Sequence, residues 1–362
     1  MRYAYFYLAG TLCPSFPIRT NYIVRNNKKI QNTRDMDSDF EILNDNMRIE
    51  GCCFEKSFTF LSGHTVPIYK IDNTSAFNQL VGYAKFKNAG YGNVYYRGIS
   101  NLYDNVRPAI MRGRTKGIPD DLNAICETIA KDDRLKESLK LRETKFSRDK
   151  WEIKANKHIQ QFNRYTIEAL LQHYVGRTSF LDVVDNHWIA LWMGLHKFQM
   201  HGKGARYCAC KKRQLLLGDM LEQLAKDKKL LPNGDIYVYV LLMAMPHATS
   251  VPEYGITQTE YFVEVDLRKA LPSIYIRPHA QHALVIKKRI KHSDGSASYF
   301  DMSKQVVGII KVRIDIADKW VGNGYLMTES NIFPSPSLDQ GYNTLLMRTD
   351  IFKHPFEIVK YF

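Results

Sequence analysis

The sequence predicts an α+β fold, because its helix-type and strand-type segments do not alternate in a regular βαβ order. Trp151–Tyr174 carries apolar and aromatic residues at three- and four-residue spacing, the strongest helix pattern in the chain. His187–Gln199 is apolar at nearly every position and follows a capping residue, Asn186, so we expect a buried helix. Runs rich in β-branched and aromatic residues predict strands in the second half of the chain: Asp235–Met245, Glu260–Val265, Ala283–Ile286 and Val306–Ile316.

Shorter elements are expected in the first half of the chain. Phe54–Lys70 alternates loosely and predicts a strand pair, and Asn73-Thr74-Ser75 reads as a cap before a helix at Ala76–Phe86. Val94–Gly98 and Thr178–Val184 are compact strand-type runs. Further helices are predicted from Pro119 to about Phe146, at Ile316–Met327 and after Pro336.

The charge balance is basic, with Lys+Arg 51 against Asp+Glu 37 and a formal charge of +14. Such a surplus favours phosphate-bearing partners, and a merely solvated basic surface is an equally open reading. Much of the surplus lies in Lys203–Lys229. We therefore predict a partly irregular N-terminal extension at 1–70, a main domain at 71–346 with a basic insertion near 202–233, and a C-terminal strand or tail at 347–362.

Neither a metal nor a membrane is expected. The six cysteines form no spaced disulfide framework, and the pair Cys208 and Cys210 supplies only half of a tetrahedral zinc shell. No stretch approaches the roughly 20 apolar residues that span a bilayer. The N-terminal residues lack a clear signal-peptide cleavage pattern, so we expect a cytoplasmic protein.

Tyr96-Arg97-Gly98 places a permanent positive charge at the end of a predicted strand. The Arg97 guanidinium is a planar fork of donors that suits paired phosphate oxygens, and Gly98 lets a ligand or backbone approach closely. The structural alternative is an ion-paired arginine followed by a turn glycine. Taken alone, the three residues favour that alternative.

The segment Gln172–Asp182 gathers titratable and hydroxyl side chains where a predicted helix meets a predicted strand. Such clusters commonly build small-molecule sites. The alternatives are a satisfied core histidine at His173 and a turn-holding buried carboxylate at Asp182. We expect Arg97 to face a cleft that is also lined by Gln172–Ser179.

Tyr96-Arg97-Gly98, Gln172–Asp182 and Ile189-Ala190-Leu191 together resemble the FRG domain family, named for its Phe/Tyr-Arg-Gly motif. Two later motifs fit as well: Arg277–Gln281 resembles the family's Arg-x-x-Ala-Gln, and Asn331–Pro334 its Leu-Phe-Pro. The resemblance covers roughly residues 71–346. Its departures from the family pattern are Val175 for Gly, Arg177 for Pro, Ser179 for Arg, and Val183-Val184 for Trp-Thr.

The order of these motifs is similar to that of ADP-ribosyltransferases, an analogy at the level of pattern. It implies an ADP-ribosyltransferase-like split mixed or antiparallel sheet with flanking helices, and NAD as the substrate. The resemblance implies a cofactor-binding set of Tyr96, Arg97, Gly98, His173, Tyr174, Thr178 and Ser179. It implies a catalytic set of Arg97, Gln281, His282 and Asp182, with Gln281 or His282 in the third-strand position, which is a Glu in many such enzymes.

The resemblance leaves three readings of the function. The first is an NAD-using enzyme that modifies nucleic acid or protein, as a toxin or defence factor. The second is a non-catalytic module that binds a nucleotide, nucleic acid or an acidic protein through the basic surface. The third is an NAD glycohydrolase with water as the acceptor. Because Gln281 is a weaker acceptor than a carboxylate, catalysis would then depend on Asp182 or Glu264.

Overall fold

Ten strands form one open, mixed sheet in the computed structural model, which describes residues 40–44, 48–112, 120–133, 164–174, 178–201, 207–213, 236–289, 299–335 and 337–346. In sheet order the strands are β1 (Cys52–Thr59), β2 (Thr65–Ile71), β12 (Val306–Arg313), β7 (Tyr237–Pro246), β3 (Gly92–Ile99), β4 (Leu181–Val184), β11 (Ala283–Lys288), β10 (Phe262–Asp266), β9 (Ile256–Gln258) and β8 (Thr249–Ser250). Among these pairings only β2 with β12 is parallel. The predicted α+β class with a mixed sheet is confirmed.

The sheet has a narrow point between β3 and β4, by which we mean that these two neighbouring strands share a single residue pair. β3 pairs with β7 along its whole length, whereas it pairs with β4 through a single residue pair, Tyr96 opposite Val184. Beyond that pair, β3 runs under a helix: a Cβ atom on Gly98 would lie 1.6 Å from the Ala190 carbonyl oxygen. Gly98 therefore permits a close approach between strand and helix that any other residue would block.

Helices cover the sheet and lie between its strands in the chain. They are α1 (Thr74–Asn88), α2 (Asp120–Lys131), α3 (Arg164–Tyr174), α4 (His187–Leu195), α5 (Leu267–Ala270), α6 (Ile276–Ala280), α7 (Ile314–Trp320), α8 (Glu329–Ile332) and α9 (Gln340–Leu346). Both predicted caps are confirmed, because the Asn73 side chain accepts from the Ala76 amide and the Asn186 side chain from the Trp188 and Ile189 amides. The predicted helix at 151–174 is described from Arg164 onward, and its first part lies outside the described residues.

Two predicted helices are shorter than expected. The helix predicted at His187–Gln199 ends at Leu195, and β5 (His196–His201) follows and pairs with β6 (Tyr207–Lys212) in a separate hairpin. Apolar and polar residues alternate in β5, a two-residue period that suits a strand. The helix predicted at Ile316–Met327 ends at Trp320, because Gly322, Asn323 and Gly324 adopt left-handed backbone conformations.

The described residues form three apolar core clusters. One packs α1, α4 and α7 against the central strands, and Trp192 and Phe77 are fully buried there. A second packs α2, α3 and α5 against β10 and β11. The third includes Leu181, Leu241 and Phe60 and lies beneath the face on which Arg97 and Tyr95 emerge from β3.

The strand pair predicted at Phe54–Lys70 is present as β1 and β2, and β2 joins the main sheet through β12. The sheet thus has strands on both sides of residue 71, and the predicted boundary there stays a prediction. Of the basic stretch at 203–229, only residues 207–213 fall within the described part of the chain. Among the described residues, no helix has the length and apolarity that crossing a membrane requires.

Candidate functional site

Arg97 connects the first two motifs. Its Nη1 donates to the main-chain oxygen of Asp182 at 2.5 Å, across the gap where β3 and β4 separate. The Asp182 carboxylate in turn accepts from Gln172 Nε2 at 2.6 Å. Burial raises the pKa of the Asp182 carboxyl above its usual range, although the Arg97 charge and the Gln172 bond act in the opposite direction. Arg97, Gln172 and Asp182 are thus one hydrogen-bonded group at the narrow point of the sheet.

Arg97 also lines a cavity of about 310 Å³, which we call the arginine cavity. Arg107 and Arg112 line it too, and Asp104 is the one carboxylate among its lining residues. The remaining lining residues are Phe60, Ile99, Leu102, Tyr103, Asn105, Val106, Leu181 and Leu241. The residues of Gln172–Ser179, which the sequence predicts to line the same cleft as Arg97, are not among those that line this cavity, and the 102–112 segment supplies much of its lining instead.

Thr178 and Ser179 lie in the core and are fully buried. The Thr178 hydroxyl donates to Gln172 Oε1 at 2.8 Å, and the Ser179 hydroxyl donates to the Glu168 carboxylate. Lys287 Nζ completes the group, at 2.7 Å from Glu168 and 3.2 Å from the Ser179 hydroxyl. Both hydroxyls that the resemblance assigns to NAD binding are engaged inside the protein in this structure.

His173 and Tyr174 belong to a buried cluster around Arg277. The Arg277 guanidinium lies 4.8 Å, 3.8 Å and 4.4 Å from the ring centroids of Tyr174, Phe333 and Tyr342, close enough for cation–π attraction. Tyr174 donates its phenol hydrogen to Asp339 at 2.6 Å. The motifs Gln172–Asp182, Arg277–Gln281 and Asn331–Pro334 therefore each contribute a side chain to this cluster. The Tyr174 ring packs against Arg277 rather than lining an open site.

The pKa of the His173 imidazole is lowered to about 3, first by burial and then by the Arg277 charge. The same burial leaves its Nε2 without a hydrogen-bond partner among the described residues. His173 is consequently neutral at physiological pH and lies at the edge of the Arg277 cluster.

Gln281 and His282 stand directly before β11, as the sequence predicts. Gln281 is buried, and its Nε2 donates to the Ile332 main-chain oxygen at 2.8 Å. His282 has a left-handed backbone, with φ of 49°, and its Nδ1 lies 3.1 Å from the Asp185 carboxylate and 3.3 Å from Arg268. Gln281 thus holds the chain near Ile332, whereas His282 is half exposed beside an ion pair.

Tyr96 lies on the face of β3 that packs against α4 and is fully buried. Burial raises the pKa of its phenol, and the phenol oxygen has no hydrogen-bond partner among the described residues. The ring makes an edge contact with His187 at 5.6 Å between centroids. Since side chains alternate along a strand, Tyr96 points away from the arginine cavity.

A second cavity, of about 840 Å³, lies near the start of β3 and is lined by Tyr95, Glu264, Asp266 and Arg268 among others. Tyr95 shares a face of β3 with Arg97, because the two are two residues apart. Sequence reasoning missed this cavity and missed Arg112. Glu264, a charged residue inside the apolar run of β10, was the available signal.

No cluster of three or more His, Cys, Asp or Glu side chains within the described ranges is placed to hold a metal ion.

Comparison with known proteins identifies one family. Residues 92–202, which include β3, β4 and the Arg97–Asp182 contact, match the model of the FRG domain. No curated protein and no solved structure matches the chain. The motifs Tyr96-Arg97-Gly98, Gln172–Asp182 and Ile189-Ala190-Leu191 lie inside the matched span, whereas Arg277–Gln281 and Asn331–Pro334 lie outside it. The chain thus contains an FRG domain at residues 92–202.

Proposed function

We propose that the FRG domain binds a phosphate-bearing nucleotide, with NAD as the candidate, and that the phosphates occupy the arginine cavity. The observation that carries this proposal is that three arginines, Arg97, Arg107 and Arg112, line one cavity of about 310 Å³. Arginine offers paired donors that match two phosphate oxygens, and charge-assisted bonds of this kind are roughly twice as strong as neutral ones.

The electrostatics of the cavity favour an anion. Burial lowers the pKa of Arg97, and repulsion from Arg112 adds to that effect, while the Asp182 charge partly offsets it. Arg107 Nε has no hydrogen-bond partner among the described residues. An anionic ligand would relieve the repulsion between Arg97 and Arg112. The volume is at the lower end of the range for small-molecule sites, so it suits a pyrophosphate with part of a nucleoside rather than a whole dinucleotide.

Cleavage of NAD, by ADP-ribosyl transfer or by hydrolysis, is a second candidate that rests on Asp182. Its main-chain oxygen accepts from Arg97, and its carboxyl is near enough for the Arg97 charge to affect its pKa. Burial raises that pKa, which is a common property of acid–base groups. Against cleavage, the Thr178, Ser179 and Gln281 side chains are engaged within the protein. Nucleotide binding is therefore the better supported function, and transfer to nucleic acid or protein is the finer proposal.

Calorimetric titration with NAD tests the binding proposal. Arg107→Gln removes one positive charge from the lining of the cavity, so we expect the affinity for NAD to fall about tenfold or more. The melting temperature should stay nearly unchanged, because Arg107 Nε has no hydrogen-bond partner to lose within the described residues. Arg48→Gln, at an exposed arginine outside the cavity, removes the same charge and should keep the affinity. Equal affinity in wild type and Arg107→Gln, or no NAD binding at all, would contradict the proposal.

Nicotinamide release separates binding from cleavage. Wild-type protein is incubated with NAD, with and without nucleic acid, and free nicotinamide is measured. If Asp182 acts on NAD, Asp182→Asn should abolish release while leaving NAD affinity within a few-fold of wild type. Binding without release in the wild type would identify the domain as a non-catalytic nucleotide-binding module.

A further inference from the structure

The second cavity differs from the arginine cavity in its lining and its charge. The two have no lining residue in common. The second cavity is lined by four carboxylates, by three Lys or Arg side chains and by His247, so acidic side chains are far better represented here than in the arginine cavity. With about 840 Å³ it has the size of a small-molecule site.

Most charges in this cavity are already paired. Arg268 lies 2.8 Å from Asp185 and 2.9 Å from Asp266, so it neutralises much of both carboxylates. Glu264 is different. Within the described part of the chain, no basic side chain lies within ion-pair distance of its carboxylate, and its hydrogen-bond partner is the Tyr95 phenol.

The Glu264 carboxylate is held in a fixed position. The Tyr95 phenol donates to its Oε1 at 2.6 Å, and Asn93 Nδ2 donates to the Tyr95 oxygen at 3.2 Å. The side chains of Tyr95 and Asn93 both belong to β3, a strand with eight paired residues, so the carboxylate is positioned by a rigid element. Burial raises the pKa of Glu264, with Asp266 and Asp185 adding to the effect, while the Tyr95 hydrogen bond and the Lys269 charge act in the opposite direction.

We propose that this cavity binds a ligand through a guanidinium or ammonium group, with Glu264 as its ion-pair partner. A cation with N–H donors matches the carboxylate in charge and hydrogen bonding, and partial burial makes that pair less sensitive to salt than an exposed one. The ligand is a second one, independent of the nucleotide proposed for the arginine cavity.

Ligand-observed NMR with small probes tests this site in the full chain. Methylguanidinium and methylammonium are the cationic probes, and methylurea is the neutral isostere of the first. We expect wild type to bind a cationic probe in the millimolar range and methylurea at least about tenfold more weakly. Glu264→Gln keeps the side-chain shape and should weaken the cation about tenfold, whereas the exposed Glu50→Gln should not.

Tyr95→Phe provides a second variant, since it frees the carboxylate without removing its charge, and should weaken the cation by a smaller factor. Melting temperatures of all variants establish that each is folded. The proposal is overturned if wild type binds neither cation, if methylurea binds as well as methylguanidinium, or if Glu264→Gln retains full affinity. An equal loss in Glu50→Gln would also overturn it, because the effect would then be one of overall charge.

Discussion

At the scale of single residues, Gly98 is required by packing rather than by chain flexibility. A side chain there would meet the Ala190 carbonyl at 1.6 Å and the Gly194 amide nitrogen at 2.9 Å, both of them backbone atoms that cannot rotate away. We expect Gly98→Ala to lower the free energy of unfolding by about 3 kcal/mol or more in urea titrations. Gly82→Ala in α1 is the control, since a Cβ atom there would meet no atom within 4 Å and alanine favours helix by about 1 kcal/mol.

His173 predicts a pH dependence of stability. Its pKa is about 3 in the folded protein and near 6.5 in an unfolded chain, so below pH 6.5 the unfolded state binds the proton more readily. Burial of the neutral imidazole therefore costs no stability above pH 6.5. As pH falls from 6.5 toward 3, the free energy of unfolding decreases by up to about 1.4 kcal/mol per pH unit. His173→Gln should flatten this slope in urea unfolding, and an unchanged slope would contradict the assignment.

At the scale of elements, the pair of Glu168 on α3 and Lys287 on β11 links a helix to the sheet beneath it. Lys287→Met leaves the buried Glu168 carboxylate uncompensated, so we expect a loss of about 3–5 kcal/mol in chemical unfolding. The double variant Glu168→Gln with Lys287→Met removes both charges and should be less destabilised than the single one. A double variant as unstable as the sum of two single changes would show that the charge pairing is not the cause.

Local contacts within these elements could be predicted from the sequence, whereas contacts between distant segments could not. The caps at Asn73 and Asn186 were predictable because a cap depends on residues three positions apart. The partners of Ser179 were not, because Lys287 lies 108 residues further along the chain. A serine beside a threonine at a strand start suggests a ligand site, and only the fold reveals that Glu168 and Lys287 occupy its hydroxyl. Arg97 was identified, whereas Arg112 reaches the same cavity through a segment without a recognisable pattern.

At the scale of the whole molecule, the formal charge of +14 is compatible with an anionic macromolecular partner or with a solvated basic surface, and the two can be told apart by experiment. The basic stretch Lys203–Lys229 is the candidate contact segment on the evidence of its sequence, and most of it lies outside the described residues. We expect single-stranded or duplex nucleic acid to bind there, with an affinity that falls steeply as salt rises because phosphate contacts release counterions. Fluorescence anisotropy at several salt concentrations measures the slope.

Charge-matched variants decide whether that stretch is the contact. Replacing Lys226, Lys228 and Lys229 by Gln removes three charges within it, and replacing Lys56, Lys70 and Lys304 by Gln removes three exposed charges elsewhere. Each phosphate contact contributes about 0.9 to the slope on duplex DNA, so the first variant should flatten the salt dependence by up to three such contacts. The second variant should keep the wild-type slope. Equal slopes in all three proteins, or no binding at low salt, would leave the positive charge as a solvated surface.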